Sequence, residues 1–153
     1  MATNSIREQI ILQVKTVLEG VSAVNLVRRK VIASLTELHE IPFPSFPVVC
    51  ISAGLPVPLN GAYVKLREIG DFAKVRSLLS INLRTYGIDR ESPDTAISSL
   101  AEDIWDALYA DPTVNSKAEG VRVIPIKDVL FIEPFYRFDM IYEVEYIHDT
   151  DNL

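Results

Sequence analysis

Apolar positions in residues 5–19 recur every three or four places, at Ile6, Ile10, Ile11, Val14, Val17 and Leu18, and Val21 continues the stripe. That spacing puts them on one face of a helix. Ser5 followed by Glu8 is a capping-box pair, and Gly20 is a stop suited to a left-handed C′ position. Arg7, Gln9, Gln13 and Lys15 fill the wet side. The pattern weakens over 22–40, where Val24, Leu26 and the run Val31 to Leu38 suit either a strand or a short helix. Five of the nine prolines lie between Pro42 and Pro58. Each removes a ladder donor, so the segment reads as extended loop. The apolar run Phe46 to Ala53 is the exception and predicts a strand, followed by a loop over Gly54 to Gly61.

A strand or hairpin arm is predicted over 62–69. Residues 74–86 alternate, with Val75, Leu79, Ile81 and Leu83 against Arg76, Asn82 and Arg84. Leu78 breaks that alternation as a bulge or an edge would. Ser92-Pro93-Asp94 opens a second helix with a cap, a proline at the first helical position and a charge suited to the dipole. Ile97, Leu100, Ala101, Ile104, Ala107 and Leu108 form its apolar face, and Asp111-Pro112 ends it. Residues 113–120 read as polar loop and Val121 to Ile126 as a strand. Residues 127–135, which contain Pro134, carry no assignment. Residues 136–147 hold the strongest period-two signal, with Phe138, Met140, Tyr142, Val144 and Tyr146 on one side. Residues 148–153 then read as a short acidic tail. Helix, strands, helix, strands with one-faced helices predicts a two-layer α+β domain: a small mixed or antiparallel sheet with two amphipathic helices packed on it. Its expected span is 1–153 as a single domain.

Charge narrows the function. With 21 acidic and 15 basic residues the formal net charge is −6, which argues against a duplex-DNA binder relying on a broad basic surface. Hydrophobic residues make up 48% beside 24% charged. The excess fits either a large core or apolar surface buried against other subunits. Cys50 is the single cysteine, so no intrachain disulfide framework is expected. With neither a signal-peptide pattern nor an apolar run of spanning length, folding in a reducing cytoplasm and no membrane association are expected.

Candidate chemistry is sparse. The six glycines start no phosphate-binding loop, and GxSxG, HExxH and CxxC are missing. No catalytic, cofactor-binding or metal-ligating residue is therefore assigned, and no cofactor is expected. Cys50 sits in an apolar run and reads as structural, because a reactive cysteine needs a stabilised thiolate. His39, between Glu37 and Glu40, reads as a surface histidine. Glu102, Asp103 and Asp106 read as a solvated helix face, since carboxylate sites draw ligands from several elements. Asp89-Arg90-Glu91 reads as an exposed turn. Arg28, Arg29 and Lys30, the only basic triplet, could contact nucleic acid or an acidic protein face, or lie on a solvated turn. Glu143 and Glu145 share a strand face with Ile141 and Ile147, a mixture that suits a subunit contact.

Several of these stretches together carry a resemblance. The proline-punctuated strand FPVVCISAG, the strand ending LSINLRTYG, the Ser-Pro-capped helix containing Leu100-Ala101-Glu102-Asp103-Ile104 and the last strand MIYEVEYI follow an N-terminal amphipathic helix. In order and size they resemble the tail terminator (tail completion) proteins of tailed bacteriophages, the family that includes the lambda tail terminator. The resemblance covers most of the chain and leaves 22–45 unmatched. It implies a structural, non-enzymatic virion protein at the head-proximal end of the tail, assembled in the host cytoplasm. It further implies a hexameric ring that caps the tail tube, stops its polymerisation and offers the head connector a docking surface. The implied partners are copies of itself, the tail tube protein and head connector or neck proteins, with a sheath protein as a further candidate and genome DNA passing through without specific binding. The candidate contacts are Arg28, Arg29, Lys30, Pro56, Glu143 and Glu145. Another head–tail connector or neck protein is the alternative, ahead of a small enzyme or a ligand-binding module.

Overall fold

A computed structural model describes residues 5–65, 73–111, 114 and 118–149. The chain runs α1 (Ile6–Glu19), β1 (Leu26–Arg28), α2 (Leu35–Glu40), a 3-10 turn (Phe43–Ser45), β2 (Val48–Ala53), β3 (Val57–Lys65), β4 (Ala73–Ile88), α3 (Pro93–Tyr109), β5 (Gly120–Ile132) and β6 (Phe135–Asp149). The strands form one six-stranded sheet in the order β1-β2-β4-β6-β5, with β3 also on β4. Among the described residues only the β1–β2 pair is parallel. The result is the expected α+β architecture on a mixed sheet, with α2 added to the two amphipathic helices.

β4 and β6 form the spine. They pair from Lys74↔Asp149 to Ile88↔Phe135 with no register shift. β2 occupies β4 opposite Ile81 to Tyr86, and β3 occupies the same edge opposite Ala73 to Leu78. Directly opposed residues of an antiparallel pair share a face. One face therefore presents Leu79, Ile81 and Leu83 from β4 and Phe138, Met140, Tyr142, Val144 and Tyr146 from β6. These pack with Ile10, Ile11, Val14 and Leu18 of α1 and Ile97, Leu100, Ile104 and Leu108 of α3 in the main core. The opposite face carries a smaller cluster at one end. There Ile32, Leu38, Ile41 and Phe46 cover Val48, Cys50, Tyr86 and Phe135.

Several expectations are corrected. Gly20 caps α1 in a right-handed conformation (φ −80°) rather than a left-handed one, donating its N–H to the Thr16 and Val17 carbonyls. Half of the expected capping box forms: Ser5 Oγ accepts from the Glu8 amide at 3.1 Å, while the Glu8 carboxylate is held by Arg29. Of the loop expected over 54–61, only Gly54 to Pro56 lies outside strands; β3 begins at Val57 despite Pro58. Pro58 is tolerated where the β3–β4 register shifts. Leu78 is no bulge. It pairs with Glu145 in an unbroken ladder and shares the second face with Arg76 and Asn82. Besides the β3–β4 shift, irregularities lie in β5, between Ile124 and Lys127 and between Lys127 and Leu130, and there Asp128 takes φ 54°. β5 then runs on through the unassigned stretch to Ile132, and Pro134 sits in the turn before β6.

α3 begins where expected, but its cap differs. Asp89 Oδ1 accepts from the amides of Glu91 and Ser92 at 2.9 and 2.8 Å, and the Ser92 side chain makes no cap bond. The loop expected over 113–120 contributes a buried apolar residue, Val114; residues 112–113 and 115–117 lie outside the described ones. The tail expected from 148 is corrected in its first two residues, since His148 and Asp149 belong to β6 and His148 is buried. Residues 150–153 and 66–72 lie outside the described residues, the latter including part of the arm expected over 62–69.

Candidate assembly surfaces

The residues singled out for chemistry do not converge. Cys50 is 1% exposed on the second face, and burial pushes its thiol pKa up, away from a reactive thiolate. His39 is exposed and lies edge-on to the Phe135 ring at 5.1 Å. Glu102, Asp103 and Asp106 are exposed on α3, as an amphipathic helix requires. Among the described residues no group of three or more His, Cys, Asp or Glu could hold a metal ion. No described helix is long and apolar enough to cross a membrane.

Sequence reasoning missed one polar pair of enzyme-like composition. Ser77 Oγ and His148 Nε2 lie 2.7 Å apart, diagonal neighbours on one face of the β4–β6 ladder, where Ser77 opposes Tyr146 and His148 opposes Val75. Both are buried, at 0% and 3% exposure, so the pair is closed to a substrate. Nearby Tyr146 is buried too, and desolvation raises its phenol to about 12. The only sequence signal for this pair was the period-two register, which places Ser77 and His148 on the core face.

The charged contact candidates are engaged within the chain. Arg28 Nη2 donates to Glu37 Oε1 at 3.0 Å, and Arg29 Nη1 donates to Glu8 Oε1 at 2.7 Å. Lys30 Nζ approaches Glu37 at 3.7 Å from a largely exposed side chain. The Ala33 amide first, with Lys30 and Arg28, holds the Glu37 carboxyl below its ordinary range; Arg29 chiefly does so for Glu8. The triplet thus ties its own segment, residues 28–30, to α1 through Glu8 and to α2 through Glu37. Pro56 is half-buried in the short β2–β3 loop. Its neighbour Gly54 accepts from Arg7 Nε and Ala53 from Arg7 Nη2, both at 3.0 Å. Arg7 thus leaves the wet side assigned to it. Glu143 accepts from Arg122 Nε at 2.8 Å, and Arg76 Nε stands 3.4 Å from Glu145.

What the fold leaves unmatched lies at the β5 edge and on the second face. Five of the thirteen exposed large apolar residues among those described fall within seven positions of β5: Ile126, Val129, Leu130, Phe131 and Ile132. β5 ends the strand order, so one row of its backbone groups faces outward. Beside it, two hollows open on the second face. One of about 300 Å³ is lined by Leu78, Gly120, Val121, Arg122, Glu143 and Glu145. The other, of about 240 Å³, lies between α2 and the sheet, bounded by Ile32, Leu38, Arg84, Tyr86, Ile132 and Arg137 among others. Arg84 is neutralised there by a two-pronged bond to Asp139, Nε to Oδ1 at 2.9 Å and Nη2 to Oδ2 at 3.1 Å. That pairing raises the Arg84 pKa.

The class these features define is an α+β domain with an apolar sheet edge and one partly uncovered face. No protein-family model and no curated protein matches the chain. A solved structure of the virion of a native gene transfer agent particle is similar over 94% of this chain and 92% of that one, at 11% identity and a TM-score of 0.37. A similarity at that level carries no argument about function.

Proposed function

We propose that this chain is a structural ring subunit of a phage tail, a terminator that caps the tail tube, stops its polymerisation and offers a surface to the head connector. The proposal joins the family resemblance to one observation, the exposed apolar half of β5 at the sheet edge. A long apolar edge strand left to water is an aggregation hazard, and a dedicated partner removes that hazard. A closed ring gives every subunit such a partner without leaving an open end. The ring is a hexamer, its partners are the tube protein and the neck, and DNA slides through it without being gripped. The protein has no catalytic role in this reading.

Purified protein added to polymerising tube protein tests the proposal. Tubes should become shorter and capped at one end, and rings should appear by negative stain. An unchanged tube-length distribution would refute termination.

A further inference from the structure

Buried polar atoms in native proteins almost always have partners, and an orphan calls for one that is missing. Among the described residues four buried side-chain atoms lack a hydrogen-bond partner: Arg76 Nε, Asn82 Oδ1, Thr85 Oγ1 and Arg137 Nε. Three of the four, those of Arg76, Asn82 and Arg137, belong to the second face, the one α1 and α3 do not cover. Arg76 still has Glu145 at ion-pair distance, though not in hydrogen-bond geometry. Arg137 differs, because no carboxylate among the described residues pairs with it. It lines the 240 Å³ hollow in which Asp139 has already neutralised Arg84. The hollow therefore presents one uncompensated positive charge. Its rim includes the half-exposed Leu35 and Ile132, so it is continuous with the apolar β5 edge.

The opposite side of the molecule presents the complementary charge. Glu102, Asp103 and Asp106 project from the outer side of α3, whose inner side packs on the main core. Among the described residues none of the three pairs with a cation. A head-to-tail contact between identical chains needs two different, matching patches on different sides of one molecule. We infer that the acidic face of α3 from a second copy of this chain docks on the second face of the sheet and places a carboxylate against Arg137. The contact is a heterologous one that repeats around a closed ring. It rests on the proposed ring, for which it supplies one of the joints.

Charge reversal tests the joint. Arg137→Glu and, separately, Asp103→Lys with Asp106→Lys should each lower the self-association constant at least about tenfold by sedimentation, because like charges meet where opposite ones did. Wild-type association should weaken with added salt. The three substitutions combined should recover most of the loss. The α3 variants change only exposed side chains and guard against a folding defect in Arg137→Glu. Wild-type protein that stays monomeric at every concentration, reversed variants that associate as wild type does, or a combination no better than its parts would each overturn the inference. Tube capping is scored on the same samples. Capping retained by variants that associate normally would leave termination standing and remove only this joint, whereas loss of capping by wild type would refute termination itself.

Discussion

Gly87 lies opposite Tyr136 in the β4–β6 ladder, and the Tyr136 ring lies across it. A Cβ built at position 87 falls inside the van der Waals envelope of that ring, against Cζ and the hydroxyl. Tyr136 is 4% exposed, belongs to the main core and stacks on Phe138 with ring centroids 6.4 Å apart. Gly87→Ala thus leaves the ring two courses. If it stays, the site is overpacked, at about 1–3 kcal/mol. If it swings out, most of the burial of a large side chain is lost, about 1.5–3 kcal/mol. Replacing glycine in a strand returns roughly 0.5–1 kcal/mol of backbone entropy. The net expectation is destabilisation by about 1–2 kcal/mol, or a fall in Tm of roughly 2–8 °C for a chain of this size. The sign should reverse once the ring is gone. In a Tyr136→Ala background, Gly87→Ala should stabilise by a few tenths of a kcal/mol to about 1. Four urea unfolding curves with equal slopes close the cycle. A neutral Gly87→Ala in the wild-type background, or an equal cost in both, would refute the account of why a glycine stands here.

Phe131→Asp should reduce self-association while leaving the monomer's unfolding free energy within about 0.5 kcal/mol of wild type, since Phe131 is 53% exposed; light scattering with denaturation separates the two. Asp139→Asn leaves the Arg84 guanidinium without its carboxylate, and should cost about 2 kcal/mol in urea unfolding after allowing for the exposed part of Arg84. Glu8 and Glu37 are held below their ordinary value of 4.5 in the folded state, so their contribution is complete above about pH 4.5 and is lost as the pH falls through the folded values. Arg29→Ala should flatten part of that acid limb, by roughly 0.2–1 kcal/mol for a pair this exposed, read from Tm against pH. Cys50 should react with a thiol reagent only as fast as the protein unfolds, and rapid modification of native protein would contradict its burial.

The elements legible in the sequence are those whose pattern is imposed by one buried face. α1, α3, β4 and β6 all pack on the main core, and the residues they bury there keep helical or alternating spacing. β5 and the 22–47 segment were harder for a shared reason: neither faces that core along its whole length. Beyond Ile124 the β5 register slips, and its apolar residues point outward on both sides, so alternation vanishes. α2 has one buried residue, Leu38, too few to show a period. The candidate contact charges were visible as charges, but their partners were not, because Arg28 and Arg29 reach Glu37 and Glu8 only after the chain folds back on α1. The lone guanidinium of Arg137 could not be read at all, since Arg84 and Arg137 look alike until the fold gives only one of them Asp139.

The unshifted ladder of β4 and β6 has a mechanical consequence. The sixteen residues of β4 extend about 54 Å at 3.4 Å each. The seventeen of α3 extend about 26 Å at 1.5 Å each. The spine overhangs its helical layer and contains no register break at which it could fold. A load applied at one end is carried to the other as it would be along a plank, and any kink falls to the outer strand β5, where the register slips.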